Sequence, residues 1–325
     1  MSQVLERPPI RQNRKRSHLE ALPEGRPRLF AERPGEVRLV PCNACGGSKF
    51  KKLFYKESSL RETFQVVRCS CGLVQVNPQP DLKAIMPYYT DAYFKKRTDR
   101  GYDNYYSEAL RDEIRRVFTL NLADLDFFTF EEKALKSGSN HALDVGCAAG
   151  YFVEYMAERA WRSRGIELSR SAGTVARKRG LDVTIGDFLT SSELSPSSYD
   201  LVSFWASIEH MHDPASVLRR AYEILKPGGR MLLSTCRYGI LARIRGKDWR
   251  YMNVPEHLYF FSLRGLSKMA RGIGFQVVRT VTYGSGMTTR KDGSELYATV
   301  KRYADPAVKF LNQGDMMAFH LEKMS

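Results

Sequence analysis

The sequence predicts an α/β fold, in which a doubly wound, seven-stranded and mostly parallel sheet fills residues 138–325 behind a small metal-clamped module at 38–80. Three observations predict it. From residue 141 onward, short apolar runs alternate with helical segments, the pattern of a parallel sheet covered on both faces. The first of these runs enters a glycine-containing turn. Ahead of them, four of the six cysteines fall in two close pairs.

Taken in order, residues 1–37 are rich in Arg, Pro and Glu without a sustained apolar period, and are expected to form a disordered basic arm. Its run Arg14-Lys15-Arg16 reads as a solvated tail. Residues 38–80 carry the paired cysteines, strand-like runs (RLV, FQVVR, LVQV) and turn residues. Residues 81–137 read as a helical connector or lid: Tyr88, Tyr89, Tyr93, Tyr102, Tyr105 and Tyr106 lead into a helical pattern from Ser107 through Glu132. After the loop KSGSN, strands are expected at 142–145, 164–168, 182–185, 201–205, 230–235, 276–283 and 315–323. Helices are expected at 151–160, 170–179, 214–225 and 263–271. A reversed strand at 276–283, followed by 315–323, would close the sheet as an antiparallel C-terminal hairpin.

Ligands of such sheets collect at the carboxyl ends of the strands. In His141-Ala-Leu-Asp-Val-Gly-Cys-Ala-Ala-Gly150, Gly146 and Gly150 let backbone approach a ligand, and the next helix offers its free N–H groups. Glu167 closes the second strand about 20 residues beyond the glycine turn, where an acid can accept from ribose hydroxyls. Asp187 and Phe188 close the third, a carboxylate and a ring suited to a purine. Turn glycines and surface acids of an ordinary βα fold are the alternative, but here three strand ends match in order.

These residues resemble the class I S-adenosylmethionine (SAM)-dependent methyltransferases, a Rossmann-like family, and the resemblance runs through residues 138–323. LDVGCAAG is similar to the family's first motif, which implies that Asp144, Gly146 and Gly150 surround the methionine part of SAM, with Cys147 lining the turn. Glu167 resembles the ribose-binding acid, and Asp187 with Phe188 the adenine-binding pair. YDLVSFWASIEHMHDP and LKPGGRMLLST resemble the fourth- and fifth-strand segments of small-molecule methyltransferases of the ubiquinone-biosynthesis type, which adds Trp205 to the cofactor side. Ala148 stands where the family more often has glycine.

Cys42 and Cys45, with Cys69 and Cys71, are spaced for one tetrahedral ion, and Gly46, Gly47 and Gly72 supply the turns of a metal knuckle. Four thiolates leave no open position, so a structural zinc is expected. Redox chemistry would have no evident use there. The block from PCNACGG to NPQP resembles the N-terminal zinc module of many bacterial methyltransferases of glycan and secondary-metabolite clusters, and YYTDAYF resembles their connector, whose aromatics cover the SAM pocket. Cys147 and Cys236 read as packing residues.

For the chemistry, His210 in the loop after the fourth strand is the first candidate base, because imidazole titrates near neutrality. Ordering of that loop is the competing role. His257, within the aromatic segment Trp249–Ser262, is the second candidate, as base, substrate contact or anchor. Asp213 and Pro214 read as a helix start. Trp249, Tyr251 and Tyr259 suit a planar ring or sugar, or packing, which is preferred for Phe260 and Phe261. Arg243, Arg245 and Lys247 read as a solvated face.

The net charge of +15 favours anionic partners without naming one. The expected function is methyl transfer from SAM to a small-molecule or glycan acceptor, an anionic acceptor being compatible with the charge. The alternatives are an RNA methyltransferase with an N-terminal zinc module and a non-catalytic SAM-fold adaptor. Against nucleic acid, the fourth strand reads SFWAS, and no basic stripe with interleaved aromatics marks the cysteine module. The opening residues lack the apolar core of a signal peptide, and no stretch approaches the roughly 20 apolar residues of a membrane span. The cytoplasm is the expected compartment.

Overall fold

A computed structural model of the protein describes residues 28–29, 37–89, 108–286 and 295–324. The basic run at 14–16 and the tyrosines at 93, 102, 105 and 106 lie outside the described residues.

The N-terminal part is built of short strands: β1 (Arg28–Leu29), β2 (Val37–Arg38), β3 (Phe50–Glu57), β4 (Glu62–Cys69), β5 (Val74–Val76) and β6 (Gln79–Pro80). β4 pairs with β1, β3 and β5, while β2 pairs with β6. β3 sets exposed Lys51 and Lys52 between half-buried Phe50 and the half-buried pair Leu53 and Phe54, and its pairing with β4 shifts register there, a weak strand signal that the apolar runs of the sequence do not include. A short helix, Leu82–Ile85, follows. It is capped by Asp81, whose side chain accepts from the Ala84 N–H at 2.8 Å.

The expected connector helix at 107–132 is instead two helices, Arg111–Asp124 and Phe127–Lys136. Asp126 between them has φ of +55°, a left-handed conformation that asparagine and aspartate tolerate better than bulkier residues. The break turns Phe127 inward to full burial. There it stacks near Trp161, whose indole N–H donates to buried Glu131 at 3.0 Å.

The main sheet contains β7 (His141–Val145), β8 (Arg162–Glu167), β9 (Val183–Ile185), β10 (Tyr199–Trp205), β11 (Leu225–Cys236), β13 (Phe275–Tyr283) and β14 (Met316–Lys323), in the order β13-β14-β11-β10-β7-β8-β9. β7 to β11 are mutually parallel, and the central strands β7 and β10 are buried along almost their whole length, as strands covered on both faces are. The order reverses at β7, so the carboxyl ends of β7, β8 and β10 open onto one crevice.

The antiparallel closing pair is present, with one correction. β14 is the reversed strand, antiparallel to both β11 and β13, so 276–283 runs with the parallel strands. The helix Glu295–Phe310 separates the pair. Its Pro306 and exposed Tyr303 and Phe310 obscure the helical signal.

Residues 237–262 form a short helix, Ile240–Arg245, and then β12 (Tyr259–Phe260), which does not extend the main sheet. β12 pairs antiparallel with β5, Tyr259 opposite Gln75 and Phe260 opposite Val74. One buried apolar cluster accordingly runs from Phe64, Val66 and Val74 through Phe260 to Phe204 and Leu233. No helix among the described residues is long and apolar enough to cross a membrane.

Candidate functional site

The carboxyl ends of β7, β8 and β10 border a cavity of about 960 Å³. Asp144 points into it from β7. Its carboxylate is buried and accepts from Ser203 Oγ at 2.7 Å. Burial pushes its pKa up to about 7 against that hydrogen bond, and the charge of Glu167 adds to the rise.

The chain then turns through Gly146, at φ of +72°, where a Cβ would lie 2.7 Å from Cβ of Ser207. Only glycine lets the loop after β10 come so close. Ala148 is also left-handed, at +46°, a conformation that glycine adopts at less cost than alanine.

Glu167, at the end of β8, holds this turn. One carboxylate oxygen accepts from the Ala148 N–H at 2.8 Å and the other from the Ser169 N–H at 2.7 Å. Burial raises its pKa, opposed by these backbone hydrogen bonds. Asp187 accepts from the N–H groups of Leu189 and Thr190 at 2.7 and 3.2 Å, fixing the loop after β9. Phe188 meets Phe204 edge-on. Trp205 closes this end of the cavity against Phe118 and Phe152, with ring centroids 5.4 and 5.1 Å away.

Of the residues expected on the cofactor side, Asp144, Gly146, Cys147, Glu167, Asp187, Phe188 and Trp205 all line this one cavity. Gly150 stands behind it, at φ of +80°, where a Cβ would strike Leu181 at 2.4 Å. Its task is helix packing. Cys147 is buried, and burial drives its thiol pKa well up.

The cavity continues past the strand ends toward His210 and Tyr89 and is bounded there by the cysteine module, through Asn43, Gln79 and Pro80. His210 Nδ1 lies 3.0 Å from the Tyr89 hydroxyl. The ring of His257 packs edge-on to His210 at 4.7 Å, is 5% exposed and is held by the Tyr251 carbonyl at 2.9 Å. His210 lines the cavity; His257 stands behind it. Glu209 brings a carboxylate within 4.8 Å of both imidazoles.

The aromatics at 249–261 are mainly packing residues. Trp249 is buried and donates to Asp315 at 3.1 Å, and Phe260 and Phe261 are buried. Tyr259 both packs and reaches the cavity wall, its hydroxyl donating to the His212 carbonyl at 2.9 Å.

The four thiols of Cys42, Cys45, Cys69 and Cys71 cluster, each within 4.8 Å of the others. Asn43, between the first two, performs a task the sequence did not announce. Its amide oxygen accepts from the Ala215 N–H at 2.7 Å, and its amide nitrogen donates to Asp213 at 2.8 Å. The expected Asp213 cap is present, accepting from the Ser216 N–H at 3.0 Å. The cysteine knuckle therefore grips the start of helix Pro214–Ile224, just after the His210 loop. An amide between two metal-type cysteines was the only available signal.

A family model described as a methyltransferase domain matches residues 102–280, more than half of the chain. The chain belongs to the methyltransferase domain family. It is a class I SAM-dependent methyltransferase, with the α/β sheet expected of one.

Among similar sequences, the ubiquinone biosynthesis O-methyltransferase of Aeromonas salmonicida is 29% identical over 52% of this chain and 75% of that protein. The enzyme of the same name from Pseudomonas paraeruginosa is 35% identical over 32% of this chain, and the match spans about half of that protein, 47%. Among solved structures, a SAM-dependent methyltransferase from Archaeoglobus fulgidus aligns with a TM-score of 0.48 at 16% identity, over 75% of this chain and all of that one.

Proposed function

We propose that the methyltransferase acts on a small-molecule acceptor bound in the half of the cavity between His210 and the cysteine module, with glycans included in the acceptor class. The continuity of the cavity from Asp144, Glu167 and Asp187 to His210 carries this reading. At about 960 Å³ it stands near the top of the roughly 300–1,000 Å³ range of single-ligand pockets, which leaves room for a donor and an acceptor side by side. The Aeromonas and Pseudomonas relatives are named O-methyltransferases of ubiquinone biosynthesis, which favours a hydroxyl acceptor.

In this reading Glu167 and Asp187 hold the nucleoside, Asp144 and the Gly146–Ala148 turn the methionine part, and Trp205 closes the donor end. When bound, SAM would supply an electrophilic methyl group on a sulfonium leaving group, for transfer to the acceptor oxygen. The protein's largest contribution is alignment, since the displacement must be in line. His210 accepts the hydroxyl proton. His257 supports its ring from behind, as anchor rather than base.

The four cysteines suit a structural zinc. Sulfurs on a tetrahedral ion with bonds of about 2.3 Å are about 3.8 Å apart, and the pairs Cys42–Cys71 and Cys45–Cys69 are separated by 3.5 and 3.6 Å. Cys42, Cys45, Cys69 and Cys71 would hold the ion and tie β4 to the knuckle. We read 38–80 as this module, 81–137 as connector and 138–325 as the catalytic domain. The net charge of +15 suits the alternative RNA substrate, but no feature of the cavity singles it out.

Calorimetry with SAM tests the reading. Glu167→Gln keeps one acceptor oxygen for the turn but removes the charge, and is expected to weaken SAM about tenfold to a hundredfold. Absence of any binding heat with the unaltered protein would overturn catalysis in favour of a SAM-fold adaptor.

A further inference from the structure

The Tyr89 hydroxyl reaches two groups at once: Nδ1 of His210 at 3.0 Å and the backbone carbonyl oxygen of Glu256 at 3.1 Å. A phenol carries one hydrogen, and a carbonyl oxygen can only accept. That hydrogen is donated to Glu256, so the phenol oxygen accepts from His210. The imidazole hydrogen must then reside on Nδ1, and the lone pair of the neutral ring on Nε2.

We infer that Tyr89 is a positioning residue that fixes His210 as the Nδ1–H tautomer and thereby assigns proton uptake to Nε2. The catalytic use of this tautomer rests on the base role proposed above; the tautomer itself rests on the hydrogen-bond geometry. The opposite tautomer would set a bare Nδ1 and a carbonyl against a single phenol hydrogen, leaving one contact without a proton.

The arrangement also suits both charge states of the ring. When Nε2 gains a proton, Nδ1 still donates and the phenol still accepts, so proton uptake requires no rotation of the hydroxyl. Such preorganisation is what a general base in a closed site needs. Tyr89 meets the His210 ring edge-on, with centroids 6.0 Å apart. It ends the short helical turn Met86–Tyr88 that leaves the cysteine module, so the proton position on His210 is set from outside the catalytic sheet.

His257 provides an internal reference. Its Nδ1 faces the Tyr251 carbonyl, an obligate acceptor, so the same accounting makes it Nδ1–H independently of Tyr89.

The test is long-range nitrogen–proton correlation spectroscopy on the full chain labelled with ¹⁵N-histidine, recorded above the imidazole titration, alone and with S-adenosylhomocysteine. The six histidines are assigned by single substitution. The expected spectrum of the unaltered protein shows His210 with Nδ1 protonated and Nε2 bare. In Tyr89→Phe the Nε2–H form of His210 is expected to become the major one, while His257 keeps its pattern. Either Nε2–H His210 in the unaltered protein or an unchanged His210 in Tyr89→Phe overturns the inference. Failure of the methyl-transfer reading would appear separately, as absence of binding by S-adenosylhomocysteine, with the tautomer still readable in the protein alone.

Discussion

Asp144 carries the heaviest electrostatic load at the site, because its carboxyl is buried beside a second acid, Glu167. Its pKa in the folded chain, about 7, lies above the value near 3.9 of an unfolded aspartate. Folding therefore favours the protonated form. The associated stability is fully present below about pH 4 and is lost as pH rises through about 7. Asp144→Asn should escape this loss, so the gap in urea stability between it and the unaltered chain should widen across that window, on the order of a few kcal/mol at its largest. A pH-independent gap would contradict the assignment. The acids at 144, 167 and 187 were legible in the sequence because strand ends and turn glycines set their places. The pairing of Tyr89 with His210 was not, since residues 121 positions apart meet only through the tertiary fold.

At the scale of elements, helix Pro214–Ile224 has two caps of different origin. Asp213 is local and visible in the sequence, whereas Asn43 arrives from the cysteine knuckle. Removing a cap of this kind costs about 0.5–2 kcal/mol. Asn43→Ala is expected to lose that much in urea denaturation, and to lose less when Asp213 is already Ala, because the two side chains share a hydrogen bond. Additive losses would show that the caps act separately. Helix boundaries inside the main sheet were readable to within a few residues, since amphipathic helices and apolar strands alternate there. The break at Asp126 and the helix Glu295–Phe310 were not: the first depends on burying Phe127, and the second carries a proline and exposed aromatics.

At the scale of the whole molecule, the cysteine module and the sheet share a single core, and the cavity wall is drawn from both. A zinc content of one per chain is expected by metal analysis. Chelation should lower the melting temperature of the whole protein in one transition rather than produce an early, separate one. Two resolved transitions would show that the module unfolds alone. The sequence announced the two parts through their cysteines and glycine turn, but not their union, because Tyr259 and Phe260 look like ordinary packing residues until β12 is seen beside β5.

That strand has a consequence for recombination. A module whose sheet is completed by residues 184–186 positions downstream cannot be exchanged between relatives as a continuous cassette. A chimera that swaps 38–80 alone would inherit a mismatched edge. Segments 38–89 and 249–262 therefore pack as one structural unit, and a chimera that exchanges both should keep a higher melting temperature than one that exchanges 38–80 alone.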